Sequence, residues 1–449
     1  MDHNRKEELF SNAALRAMII PLFFEQLLAM LVGMADTLVI SYAGEAAVSG
    51  VSLVNQFNTI FIYFFTALAS GGAVVISQYI GKQDTGQAGK ASSQLLRFST
   101  LFSVVLMVLI LLGNQRILRV MFGRVDPDVM QACITYLRIS AYSYPAIAIY
   151  NSGAAVYRSL GNTKTTMYIS IVSNIINVIG NIIGVFVLHA GVAGVAYPSL
   201  IARVFSAVAI TWLCFDKKKT VSYRMDQLLA RDGKLLKSIL GVAIPNGTEN
   251  GIFQLVKVAL SSIVALFGTY QIAANGVAQS IWSLAALAGV AMGPVFITVI
   301  GQCMGAGDTD EAERYFYRLV KLTLLISFVW NAFVLLLTPA FMQVYSLEPQ
   351  TKALVLKLVL IHNLFNAFAF PLSGALPNGL RAAGDIRYTM IVSIASTIAG
   401  RLVLSYVLGV MLNLGVIGIA LAMAADWTIR AVIFWVRLRS GAWKKFRVI

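Results

Sequence analysis

Residues 14–42 read ALRAMIIPLFFEQLLAMLVGMADTLVISY, an almost unbroken apolar run carrying Glu25 and Asp36 in its interior. An α-helix needs about 20 residues to cross a ~30 Å hydrocarbon core, and this run exceeds that. Eleven more such runs follow, near 47–78, 93–113, 130–156, 166–188, 193–214, 239–266, 271–300, 315–337, 353–378, 388–411 and 415–436. They predict an all-α membrane protein of twelve transmembrane helices, because lipid-exposed backbone must satisfy its own hydrogen bonds and the runs are too continuous for barrel strands.

Composition agrees. Of 449 residues, 58% are hydrophobic and 12% charged, against ~25% charged in a soluble chain. Cys133, Cys214 and Cys303 have no disulfide or zinc spacing, and His3, His189 and His362 are scattered. The polar stretch 1–12 predicts no cleavable signal peptide. The net charge of +15 raises the question of nucleic acid, which placement answers. With both termini cytoplasmic, the inner segments hold 26 of the 35 Lys and Arg. The outer side holds five: Arg116, Arg119, Arg124, Lys352 and Lys357. Arg138, Arg203, Lys257 and Arg401 fall within helices. This is the positive-inside pattern and needs no nucleic-acid partner. The three arginines at 116–124 are read as an interfacial helix.

The first run has a second copy. Ile20-Pro21 followed by Glu25 recurs as Ile244-Pro245 followed by Glu249. Three further matches keep the same order and nearly the same register, a shift of about 224 residues. Gln78-Tyr79-Ile80-Gly81 answers to Gln302-Cys303-Met304-Gly305, Arg158 to Gly161 answers to Arg381 to Gly384, and Gly191 to Gly194 answers to Gly415 to Gly418. The chain is therefore read as a six-helix lobe (1–215), a cytoplasmic linker (216–237) and a second six-helix lobe with a basic tail (238–449). Six spans per copy is an even number, so the copies share one orientation about a pseudo-two-fold axis along the membrane normal, and alternating access by rocking lobes is expected.

With the repeat placed, the sequence resembles the multidrug and toxic compound extrusion (MATE) family over roughly residues 14–436. The residues carrying the likeness are Pro21, Glu25-Gln26-Leu27-Leu28 and Met34-Ala35-Asp36-Thr37, the Gln78 to Gly81 helix end, and Arg158 to Lys164. Asn177 to Asn181 and Gly194 to Ser199 complete the pattern. The resemblance implies a secondary active antiporter in the plasma membrane, working as a monomer, which exports organic, cationic, amphipathic compounds in exchange for Na+ or H+. It implies no enzyme activity and no bound cofactor. The rival reading is a flippase of lipid-linked sugars or lipids from the same superfamily, for which Lys257 is the main cationic candidate.

Asp36 is the sharpest site. A carboxylate at a helix centre costs about 2.5–3.5 kcal/mol on insertion scales, so it should face protein or a wet cavity, as an ion site or as a tether between helices. Family members that couple to cations use an aspartate at the matching position, with side chains that correspond here to Asn177, Asn181 and Ser199. The four-residue spacing puts both asparagines on one helical face. Some relatives have an aspartate in place of Asn181, which argues against two-proton carriage here. At a shift of 224, Asp36 maps to Leu260 and Asn177 to Arg401, so ion coupling is expected in the first lobe alone. Glu25 and Glu249 are read as gate or structural residues, with Glu249 also a candidate for cationic substrate and Lys257 as its indirect partner. His362, beside Asn363 and Asn366, is a candidate proton relay or an interior residue. Pro294, Pro371 and Pro377 predict kinks. If the family pattern holds, Met30, Met34, Gln56, Gln254, Gln279, Trp282 and Met292 face the substrate, or else pack or meet lipid.

Overall fold

The computed structural model describes residues 8–123, 125–216, 218–230, 232–344 and 347–449. His3, Arg5, Lys6, Arg124, Lys217 and Arg231, used in the sequence reading, lie outside the described residues. The chain is helical nearly throughout. The first six spans are α1 (Asn12–Ser41), α2 (Glu45–Gly81), α3 (Thr85–Phe122), α4 (Pro127–Ala141 and Tyr144–Ser159), α5 (Thr163–Val187) and α6 (Ala193–Cys214). The second six are α7 (Gly233–Phe267), α8 (Thr269–Ala285 and Leu287–Gly305), α9 (Thr309–Gln343), α10 (Pro349–Ala382), α11 (Ile386–Met411) and α12 (Gly415–Arg439). Eleven helices among the described residues are long and apolar enough to span a bilayer. The twelfth, α4, is broken at Tyr142-Ser143, where Pro145 opens the next helical piece without an N–H to donate. Leu112, Val120, Trp212 and Leu336 stand at least 75% exposed, apolar surface that suits lipid.

Two compact units result. One is Phe10–Gly247; the other is Thr248–Ile449, to which Leu9 N–H and Glu8 attach by hydrogen bonds to Glu311 and Arg318. In the first, α1 packs on α5, α5 on α6, and α4 on α2, α3 and α6. In the second, α10 packs on α8, α9 and α12, and α12 on α11. The repeated motifs prove to be helix ends. Asp84 and Asp308 each accept a hydrogen bond from a backbone N–H of the next helix, at 2.9 Å. Gly161 and Gly384 take φ of +75° and +99°, the left-handed geometry that closes a helix without a Cβ clash.

Several expectations change. Arg116 and Arg119 lie in the last turns of a continuous α3 and form no separate interfacial helix. Within residues 216–237, Met225–Leu229 forms a helical turn and α7 begins at Gly233. The break in α8 falls at Ala286 and Pro294 lies within an unbroken helix, while Pro371 opens a π-helical turn, Pro371–Ala375. The tail folds back at Ala442–Lys445 and buries Trp443 completely.

Candidate functional site

The first-lobe site begins with a crossing of two helices that have no side chains where they touch. A Cβ on Gly184 would collide with the Gly194 carbonyl oxygen, and a Cβ on Gly194 would lie 2.6 Å from Gly184. One turn away, a Cβ on Gly180 would lie 2.6 Å from Pro198. Glycine at these positions lets α5 and α6 approach closely enough for short polar side chains to meet. Asn177 Nδ2 then donates to Ser199 Oγ at 2.9 Å, and Asn181 Nδ2 donates to Asn177 Oδ1 at 2.9 Å and to Asp36 Oδ1 at 2.6 Å.

Asp36, Asn181, Asn177 and Ser199 therefore form one continuous chain joining α1, α5 and α6. The two asparagines and Ser199 are buried and Asp36 is half-buried. Asn181 Oδ1 is buried and accepts no hydrogen bond among the described residues. A buried acceptor without a donor costs about 1–3 kcal/mol. The set offers one carboxylate and three neutral oxygens, the hard ligands that a small monovalent cation takes. Arg203, one turn beyond Ser199, donates to Ser143 Oγ at 2.7 Å and, with Glu25 and Tyr150, lines a cavity of about 240 Å³ in the same lobe.

Glu25 and Glu249 each have a partner that the sequence reading quoted only as a repeat marker. Arg158 holds Glu25 at 2.7 Å, with Thr166 Oγ1 and Tyr150 OH donating to the same carboxylate. Arg381 holds Glu249 at 2.6 Å. Glu249 is thus neutralised within its lobe, and Lys257 is not its partner; Lys257 stands over the Phe253 ring, 5.4 Å from its centroid.

The second lobe holds a cluster that the sequence reading passed over. Asp426 on α12 is fully buried, and its Oδ2 accepts from Arg401 and Arg430, each at 2.9 Å, while Ser396 Oγ donates to Oδ1 at 2.7 Å. The signal was available: Asp426 is the only acid in an apolar span, and intramembrane charges are functional or paired. Arg430, which its place toward the end of the last apolar run puts among the 26 inner charges, is 8% exposed inside the lobe. Arg158, Arg381 and Arg437 from the same count are also paired with carboxylates, so part of the inner positive charge is structural.

The other candidates separate. Met34 and Gln56 are exposed, and Met30 and Gln279 partly so. Met292 is fully buried in α8, where it packs in this structure. Trp282 stacks on Trp427 at 5.7 Å, and its Nε1, like Gln254 Nε2, is buried without an acceptor among the described residues. His362 is buried with neither ring nitrogen hydrogen-bonded among the described residues.

Comparison with known proteins gives the family. The MatE family pattern matches residues 21–183 and again 245–407, the second match starting 224 residues after the first (245 against 21). The chain is 25% identical over 430 residues to the uncharacterized transporter YisQ of Bacillus subtilis, covering 94% of this chain and 93% of that one. It is 24% identical over 437 residues to the probable multidrug resistance protein NorM of Thermotoga maritima, covering 96% and 92%. A solved outward-facing multidrug resistance MATE transporter superposes with a TM-score of 0.90 at 21% identity, covering 96% of each chain. Such relatives do not favour the flippase reading. With the family pattern matched once in each half, the chain belongs to the MatE family of multi-span membrane transporters.

Proposed function

We propose that this chain is a secondary active exporter that expels organic, amphipathic compounds in exchange for Na+ or H+ taken up at Asp36. The observation that carries the reading is the Asp36–Asn181–Asn177–Ser199 chain, with Asn181 Oδ1 left without a donor among the described residues. A cation there neutralises the carboxylate and takes up the spare oxygen, and so stabilises the conformation that presents this geometry. A ligand shifts such an equilibrium only by its differential affinity for the two states, which a charge-neutralising ion at a half-buried carboxylate supplies. The plasma membrane, cytoplasmic termini and monomeric state belong to the same proposal, as does a cationic substrate. Support for the substrate class comes from the multidrug resistance relatives and from exposed Met34 and Gln56.

The test is dye efflux from proteoliposomes under an imposed Na+ gradient, and separately under a pH gradient. One of them should drive efflux, and Asp36→Asn should reduce it to the undriven rate with protein yield and melting unchanged. Efflux driven by neither gradient overturns the exchange reading, and gradient-driven efflux that survives in D36N removes Asp36 from it.

A further inference from the structure

The second lobe contains a cavity of about 140 Å³ whose lining includes Arg401, Arg430, Trp282, Phe253, Trp427 and Glu249. That is smaller than the ~300–1,000 Å³ of a drug-sized pocket, and it has room for an ion or a single headgroup. Its charges do not balance. Arg401 and Arg430 share one carboxylate, Asp426, and bind the same oxygen of it. Glu249 is cancelled by Arg381. One positive charge is left over, and Lys257 stands near it over the Phe253 ring that Arg401 also covers at 4.7 Å.

The hydrogen bonds show the same imbalance. Arg401 Nε, Arg430 Nε and Trp282 Nε1 are all buried, and none has an acceptor among the described residues. All three are donors, and they belong to three side chains lining one cavity. Arg401 is 3% and Arg430 8% exposed, so bulk water does not solvate them. Water can accept these hydrogen bonds, yet it leaves the extra charge uncompensated, and an unpaired buried charge is strongly destabilising. An anion meets both needs.

We propose that this cavity is a binding site for a small monovalent anion, a halide or a carboxylate, held by Arg401, Arg430 and the Trp282 indole N–H. It is a second site, in the other lobe from Asp36, and it stands whether or not Asp36 takes a cation. The first copy has an equivalent cavity, the one lined by Glu25 and Arg203, but without this cluster: Asn177 stands at the place of Arg401, Ala202 at that of Asp426 and Ser206 at that of Arg430.

The test uses the full-length protein in detergent, exchanged into gluconate and titrated with bromide, and separately with acetate. Thermal stability and tryptophan fluorescence are read, since Trp282 and Trp427 stack at the site. A saturable response to either anion supports the proposal; bromide alone identifies a free inorganic ion, and acetate identifies a carboxylate. Arg430→Gln removes the surplus charge and should weaken binding by about tenfold or more, whereas Asp426→Asn frees both guanidinium groups and should tighten it similarly. Trp282→Phe keeps the ring and loses the donor, so it should weaken binding modestly with melting unchanged. A wild-type protein with no saturable response to either anion overturns the site, and so does a folded D426N that binds more weakly than wild type.

Discussion

Glu25→Gln is the most informative single change, because it removes one charge and almost no volume. Arg158 Nη2 lies 2.7 Å from Glu25 Oε1, and the two side chains are 23% and 8% exposed. At an effective dielectric of about 20, the gross attraction at that distance is about 6 kcal/mol. Desolvating both ions offsets most of it, so the pair as a whole contributes little net stability. Removing one partner is different, since it leaves the Arg158 charge inside the lobe without its carboxylate, at a cost of about 3–5 kcal/mol. Glutamine also has one carbonyl oxygen where glutamate has two, and the carboxylate accepts from both Thr166 and Tyr150. One of those donors then loses its acceptor, adding about 1 kcal/mol. For a lobe of this size, about 4 kcal/mol corresponds to a fall in Tm of roughly 8–16 °C. The assay is thermal unfolding in detergent by tryptophan fluorescence, on E25Q, R158M and the double variant. The double variant should melt above E25Q, because no stranded charge remains. E249Q should behave alike through Arg381. An E25Q that melts within about 2 °C of wild type, or a double variant as low as the sum of the two singles, refutes the buried-clamp reasoning. Unchanged melting with lost transport assigns Glu25 to a gate instead.

Three further outcomes test the packing. Gly194→Ala pushes a methyl into Gly184, costs about 1–3 kcal/mol, and should lower transport by parting Asn177 from Ser199. Gly418→Ala meets Gly409 N at 2.6 Å and should lower melting by a like amount without touching the Asp36 chain. Trp443→Ala, measured by thermal unfolding, should cost about 3–5 kcal/mol, since the ring is fully buried against Phe316 at 4.9 Å. Lys444 beside it is held above its ordinary 10.5 by hydrogen bonds to Glu313 and Asp310. Its contribution to docking the tail is therefore complete below pH 10.5 and is lost as pH rises through the raised value. Limited proteolysis of the tail should increase over that range in wild type and be pH-independent in Lys444→Met.

The spans and the two copies were legible because each rests on a local signal; the grouping of Asp36 with Asn177, Asn181 and Ser199 came from the family resemblance, spacing showing only that the two asparagines share a face. Apolar length marks a helix, a four-residue spacing marks a face, and a repeated motif marks a shared helix end. What stayed hidden depends on which helices touch. Arg158 and Glu25 are 133 residues apart, and no periodicity pairs them. Arg430 read as a cytoplasmic charge because it lies toward the end of an apolar run, yet its four-residue spacing from Asp426 turns it inward. Trp443 was lost in a stretch that reads as a basic tail, since burial of one ring by a fold-back leaves no periodic trace. Met292, fully buried, shows the same limit: helix composition alone does not tell a lining methionine from a packed one.

The two copies also divide structural residues from chemical ones. Both lobes keep the glutamate and arginine pair, at 2.7 and 2.6 Å, and both keep a glycine crossing, Gly184 with Gly194 and Gly409 with Gly418. A feature retained in both halves answers a need that both halves have, which is to hold six helices together, and so the glutamates belong with the scaffold. The residues that differ sit on that scaffold at equivalent places. Asp36, Asn177 and Ser199 face Leu260, Arg401 and Met423 across the repeat. An acid with neutral oxygens suits a cation, and a cluster of two arginines on one aspartate suits an anion. The opposite polarity is not a loss of the first site in the second copy, because losing it would leave neutral residues, and Arg401 instead brings a buried charge that the lobe must accommodate with Asp426. Charges inside a membrane protein persist in pairs or at sites; the glutamate clamps are pairs, whereas two arginines on one aspartate leave the surplus that the proposed anion would balance.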